Sequence, residues 1–268
     1  MDRLRFQSFA SGSSGNCYFI GNASCGILID AGIGVRTIRK NLRALGLDFQ
    51  HIWGVFVTHD HADHIRAVGS LGEIHHVPVY ATREIHEGIN NSYCVTEKLN
   101  GSRRFIEKNK TIEIAGFNIT AFQVSHDATD SVGYTVEYHG KRFTFATDQG
   151  YVCEEASHHL RKANYMVFEA NYDESMLSTG PYPADLKRRI RSNTGHLSNN
   201  QTGEFLAENY QEHLEAVFLC HLSKENNHPD VAFTTVKSYL EKKNIRVGKD
   251  LKLITLERFA PTELFVFD

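Results

Sequence analysis

A chain of 268 residues with 41% hydrophobic and 23% charged residues can build a sizeable core, which excludes a disordered or fibrous protein. Its formal net charge of −3 excludes a global attraction to nucleic acid or to an acidic membrane, so a polyanion has to be met by a local patch. Five cysteines (Cys17, Cys25, Cys94, Cys153, Cys220), odd in number and without a CxxC pair, suggest neither a disulfide framework nor a cysteine zinc site, and read as small thiols in a reducing cytoplasm.

The first residues, "MDRLRFQSFASGSSGNC", lack the long apolar run of a signal peptide, and no later segment approaches the roughly 18 apolar residues of a membrane span. A soluble cytoplasmic protein without membrane contact is expected. Strand-like runs come first, "LRFQSFA", "CYFIGN" and "GILIDAG", separated by Gly, Ser and Asn turn signals. "VRTIRKNLRALGL" then has helical spacing, with Ile38, Leu42 and Leu45 on one face and Gly46 as its stop.

Residues 52–58 form the next apolar run, followed at once by "HDHADH". His59, Asp60, His61, Asp63 and His64 are expensive inside a core, so they have to emerge where the strand ends. Imidazoles at i and i+2 on a loop can converge on one cation, and the Asp-His pair that opens the following helix reaches a second. Five such groups so close together on a plain surface loop repel one another when protonated.

"IRAVGSLGEI" continues as helix and "VPVYAT" as strand, and 111–147 is all strand with hairpin turns at Gly116 and Gly140. Helices near 154–163, "PADLKRRIRS", "QTGEFLAENY" and "PDVAFTTVKSYLEKK" then alternate with strands "YMVFEA", "AVFLCHL" and "LKLITLE". Repeats, low-complexity tracts and linkers are absent from the sequence. Two halves of strands followed by helices predict an α/β (α+β) fold, two packed mixed sheets flanked by helices in one four-layered domain over residues 1–268.

Three more strands release a polar residue just as their apolar run stops: "FQVSHD" at His126, "FTFATDQG" at Asp148 and "AVFLCHLS" at His221. A satisfied histidine or a turn aspartate explains any one of these, but not the repetition. HxHxDH, a later single His, a strand-ending Thr-Asp and a late His after an apolar strand resemble the metallo-β-lactamase superfamily over nearly the whole chain. The resemblance implies an αββα sandwich and two divalent metal ions. His59, His61 and His126 would hold one ion and Asp63, His64 and His221 the other, with Asp148 bridging. "SGSSGNCY", "GHLSNNQTGEFLAEN" and "VFLCHLSKENNHP" resemble the YycJ (WalJ) branch, related to tRNase Z and to cyclic-phosphate phosphodiesterases. That branch implies an exonuclease acting on DNA from 5′ ends. The family motif often has Glu where this chain has Asp60, a position that is not a ligand.

Two divalent cations against Asp63 and Asp148 leave an inner shell of about +2, which favours an anionic substrate such as a phosphodiester and makes hydroxide available between the ions at neutral pH. None of the seven ligands can protonate a leaving alkoxide. His196, in "TGHLSN" just before a helix at 198–210, resembles the proton-donating His of tRNase Z, and a surface His at a helix start is the other reading. Ser13, Ser14 and Asn16 of "SGSSGN" read as a phosphate-wrapping loop or as a plain hairpin turn. His228, ahead of Pro229, is a further substrate contact or a helix-start residue. In "DLKRRIRSN", Leu186 and Ile190 face the core while Lys187, Arg188 and Arg191 point outward, as a solvated face or as a track for DNA ends. Imidazole and carboxylate ligands without thiolate suit zinc, and manganese and iron as well. His51, His75, His76, His86, His139, His158, His159 and His213 receive no role and are expected to be mostly exposed. The rival readings are a phosphodiesterase for small cyclic phosphates or nucleotides, and a silent metal-bound interaction protein.

Overall fold

The structure is a computed structural model that describes residues 3–267. Strands in chain order are β1 Leu4–Ala10, β2 Cys17–Gly21, β3 Gly26–Ile29, β4 Ile52–Phe56, β5 Val79–Ala81, β6 Arg103–Phe105, β7 Thr111–Ile114, β8 Phe117–Gln123, β9 Val132–Tyr138, β10 Lys141–Ala146, β11 Tyr165–Glu169, β12 Ala216–Cys220, β13 Lys252–Thr255 and β14 Phe265–Phe267. Helices are α1 Val35–Ala44, α2 Ala62–Ile65, α3 Arg83–Asn91, α4 Glu154–Leu160, α5 Glu174–Thr179, α6 Ala184–Ile190, α7 Asn199–Asn209 and α8 Pro229–Lys242. They fall into two compact units. One contains the residues up to Phe117, Ala128–Ser131 and the residues from Glu257 onward, and the other contains Asn118–Asp127 and Val132–Leu256.

In the first unit the sheet order is β14-β1-β2-β3-β4-β5-β6. The pairings from β14 to β3 are antiparallel. From β3 to β6 they are parallel. β2 and β3 are buried on both faces, as their unbroken apolar runs require. Parallel strands end together, so the residues that follow β3, β4, β5 and β6 share one sheet edge. α1 buries Ile38 and Leu42 and is followed by Gly46 at φ 78°, the left-handed stop that its sequence predicts. The helix expected over 65–74 is broken instead. α2 ends at Ile65, and a wide turn over Ser70–Ile74 replaces a regular continuation.

The second sheet has the order β13-β12-β11-β10-β9-β8-β7. β10 to β13 run parallel, joined through helical crossovers, while β8, β9 and β10 form antiparallel hairpins. His139 at φ 49° and Gly140 at φ 79° make the tight turn between β9 and β10. β11 and β12 are wholly buried. Their apolar side chains pack with those of α4, α7 and α8 into a core that includes Phe168, Leu206, Val217, Leu219, Val236 and Leu240. Among the described residues no helix is long and apolar enough to cross a membrane. Two mixed sheets flanked by helices are the architecture predicted above.

Candidate metal centre

In the first unit the chemistry begins where β3 and β4 stop. Asp30 follows β3 in a left-handed conformation, φ 59°, and its carboxylate is completely buried. Oδ1 accepts from the Thr58 amide at 2.8 Å and Oδ2 accepts from the Thr58 hydroxyl at 2.8 Å. Oδ2 also accepts from His64 Nδ1 at 2.7 Å. Burial pushes the Asp30 carboxyl above its ordinary value, against the downward pull of His64 and Thr58. With Asp30 accepting from Nδ1 of His64, Nε2 is the nitrogen that a metal ion would meet.

His59 and His61 lie beside it, the His59 ring 4.0 Å from that of His64 and 4.7 Å from that of His61. Asn16 is wholly buried; its Nδ2 is 2.9 Å from His64 Nε2 and donates to Asp63 Oδ2 at 3.3 Å. The main chain also joins the two loops, with the Asn16 amide donating to the Asp63 carbonyl at 2.8 Å. Gly32 permits this approach, since a Cβ there would sit 1.6 Å from the same carbonyl oxygen. Asn16 therefore touches two of the predicted ligands, while Ser13 and Ser14 stand exposed in the turn ahead of it.

In the second unit the parallel strands β10, β11 and β12 bring Asp148, Glu169 and His221 to one edge, and the turn before α7 adds His196. Donor atoms of these four lie within 4.8 Å of one another. Glu169 has no exposed surface and is the hub. Its Oε1 accepts from His196 Nδ1 at 2.7 Å and from His221 Nδ1 at 3.0 Å. Its Oε2 accepts from the Gln149 amide at 3.0 Å and the Leu197 amide at 3.2 Å. Asp148 Oδ1 is 2.9 Å from His221 Nδ1 and 3.6 Å from His196 Nδ1. His126, beyond β8, donates Nδ1 to the Gly195 carbonyl at 3.0 Å, so Nε2 is the nitrogen that a metal ion would meet.

His221 is itself left-handed, φ 54°, and Asn171 Nδ2 donates to its carbonyl at 2.8 Å. Asn227 Nδ2 donates in turn to the carbonyls of Ala170 at 2.9 Å and Asn171 at 3.0 Å. Asn199 Nδ2 donates to Asn227 Oδ1 at 3.0 Å. The Asn-rich stretches that flank His196 and His221 in the sequence are thus a buried amide network holding the strand ends.

Other predicted contacts have different neighbours. Lys187 Nζ donates to the carbonyls of Ser178 at 2.8 Å and Gly180 at 2.7 Å, closing the end of α5. Arg189 pairs with Asp127 at 2.5 Å, Arg188 with Asp185, and Arg191 donates to Ser178 Oγ at 2.6 Å. His228 is the N-cap of α8, its Nδ1 accepting from the Asp230 amide at 3.3 Å. Of the eight histidines without a role, His76, His139, His158 and His213 are exposed and His51, His75 and His159 half-buried, whereas His86 is 1% exposed. Sequence reasoning missed Asp30 and Glu169. Both obey the rule that found the ligands, a carboxylate released where an apolar strand stops, in "GILIDAG" and "YMVFEA".

The donor chemistry fits divalent metal ions in both units: clustered imidazoles and carboxylates, with His64 and His126 fixed through Nδ1 by oxygen acceptors. Residues 26–221 match the model of the β-lactamase superfamily domain, and the chain belongs to that superfamily. Among curated proteins it is similar to the exodeoxyribonuclease YycJ of Bacillus anthracis, 30% identical over 262 residues, 97% of this chain and 98% of that protein. It is likewise similar to the exodeoxyribonuclease WalJ of Streptococcus pneumoniae serotype 2 (strain D39), 31% identical over 93% of each chain. The metallo-β-lactamase fold protein YhfI of Bacillus subtilis shares the fold, with a TM-score of 0.71 and 15% identity over 99% of this chain and 100% of its own.

Proposed function

We propose that the protein is a metal-dependent phosphodiester hydrolase, a DNA exonuclease working from 5′ ends. His59, His61 and His126 would hold one divalent ion and Asp63, His64 and His221 a second, with Asp148 shared between them; zinc suits these donors, and manganese and iron are accepted by the same set. Bound there, the ions supply Lewis acidity and a nucleophile at neutral pH.

The single observation that carries the reading is the Glu169–His196 pair beside Asp148 and His221. A buried carboxylate fixes Nδ1 of a part-exposed imidazole that is itself outside the ligand set. His196 can then present Nε2–H to a leaving alkoxide while Glu169 stabilises the charged ring, which is what cleavage of an unactivated phosphodiester requires. The likeness to two proteins named exodeoxyribonucleases over almost their full length supports DNA as the substrate. Ser13 and Ser14 remain the proposed phosphate contacts. Lys187, tied to the end of α5, and His228, capping α8, are retained only as flanking contacts to the strand. A cytoplasmic location accords with five free cysteines.

The test compares an end-labelled duplex with bis-p-nitrophenyl phosphate and cyclic phosphates, together with metal analysis. DNA should be shortened from its 5′ ends. His196→Ala should lower kcat on DNA by roughly 10²- to 10⁴-fold with metal content unchanged. Turnover of cyclic phosphates by metal-replete protein that leaves DNA intact overturns the proposal.

A further inference from the structure

Beside the metal motif of the first unit lies a cavity of about 750 Å³, walled by Thr82, Arg83, Phe105, Lys108, Thr129 and Asp130. Its volume is of the order that small-molecule pockets occupy, roughly 300–1,000 Å³. Thr82 follows β5 and Phe105 ends β6, the outermost strand of its sheet, so the cavity opens at the same sheet edge that releases His59 after β4. Two strand spacings separate the ends of β4 and β6, about 10 Å. The wall is also bonded to the motif. Thr129 Oγ1 donates to Asp60 Oδ2 at 2.5 Å and its amide to Asp60 Oδ1 at 3.1 Å, and Asp60 stands between His59 and His61.

Phe105 is 53% exposed. Its ring is set, with the His86 ring edge-on at 5.2 Å and the Arg83 guanidinium 5.1 Å from its centroid. A large aromatic held in place yet left half in solvent, with a guanidinium over one face, is a stacking platform for another planar group. The lining charges argue against a phosphate as occupant. Arg83 and Lys108 face Glu84, Glu107 and Asp130. Lys108 is already committed to Asp130 at 2.6 Å, and Asp130 also accepts from the Thr82 hydroxyl at 2.9 Å. Carboxylates repel a phosphodiester but accept the exocyclic amino groups of cytosine and adenine.

The geometry points to a nucleobase subsite: one unpaired base of the DNA strand, about one to two nucleotides from the reacting phosphate, stacks against the Phe105–Arg83 pair. The subsite rests on the proposed nuclease function and goes beyond it by naming how the strand is gripped. On a duplex it requires the terminal base pairs to open before the strand is gripped, because a base inside a duplex has no open face to give.

Binding of a cleavage-resistant single-stranded oligodeoxynucleotide to the full-length protein tests this without relying on turnover. Phe105→Ala should weaken binding roughly 5- to 150-fold while leaving its salt dependence unchanged, and Phe105→Trp should restore it. Abasic sites walked along the oligonucleotide should find one position where loss of the base weakens binding to the wild type but has no further effect on Phe105→Ala. Equal binding by Phe105→Ala and wild type overturns the subsite alone, as does a loss that Phe105→Trp fails to restore or that no single abasic position reproduces. Absence of wild-type binding to the single strand overturns the subsite alone, and absence of binding to a cleavage-resistant duplex as well overturns the nuclease reading with it.

Discussion

Replacing Glu169 by glutamine removes one oxygen acceptor from a site in which all four neighbours are nitrogen donors. Its Oε2 meets the amides of Gln149 and Leu197, which cannot change roles. Its Oε1 meets Nδ1 of His196 at 2.7 Å and Nδ1 of His221 at 3.0 Å, and imidazoles can change tautomer. Turning the new NH₂ towards the two amides would orphan two buried donors at about 1–3 kcal/mol each, so the side chain should keep its oxygen there and aim the NH₂ at the histidines. His196 must then accept at Nδ1. A charged ring, with protons on both nitrogens, loses a charge-assisted hydrogen bond worth about 1.5–3 kcal/mol, which corresponds to a roughly 10- to 150-fold fall in kcat when proton delivery limits the rate. The assay is a pair of substrates with the variant's metal content measured alongside. DNA, whose leaving alkoxide needs a proton, should show the whole loss. Bis-p-nitrophenyl phosphate, whose leaving group departs as a stable phenolate, should show little. Equal losses on both substrates with metal retained would refute the idea that Glu169 acts by fixing His196.

Asp30→Asn leaves an amide against three donors from Thr58 and His64, so metal affinity measured by chelator competition should fall about 10- to 100-fold; unchanged affinity would mean that His64 needs no such holder. His159 is stacked on Phe122 at 4.4 Å, and burial depresses its pKa from 6.5 to about 4. The folded state therefore binds fewer protons than the unfolded chain in that interval. Its contribution to stability is complete above about pH 6.5 and is lost as pH falls towards 4, by less than about 3 kcal/mol because the ring is only half-buried. His159→Gln should flatten the dependence of Tm on pH between those values, and a parallel curve for the two proteins would exclude this source.

What the sequence made legible follows from how strongly burial constrains a strand. β2, β3, β11 and β12 are buried on both faces and β4 everywhere but at Trp53, so their composition announces them, and any charged or imidazole residue at the end of such a run is conspicuous. That contrast picked out His59, Asp148 and His221, and applied evenly it would also have picked out Asp30 and Glu169. Locally neither stands out from the acid residues that commonly form turns after strands, and only the fold reveals that both are wholly buried beneath imidazoles. Segments stabilised from outside left no such mark. β6, "RRF", has no apolar alternation and exists because β5 pairs with it in parallel. β14 pairs with β1 from the opposite end of the chain, a contact that local propensity does not encode.

The basic helix shows the same limit from the other side. Its apolar positions were readable, and Leu186 and Ile190 do pack with Tyr172 and Leu177. Its cations were not readable, because a lysine's partner is set by whatever the fold brings within reach of a long flexible stem. Lys187 closes the end of α5, and Arg189 holds Asp127 next to His126. A run of like charges in sequence therefore becomes four cations with separate local partners in the fold. The proposed base subsite is placed instead at Phe105, which among the exposed aromatic residues of the first unit is the one that lines the cavity beside Asp60.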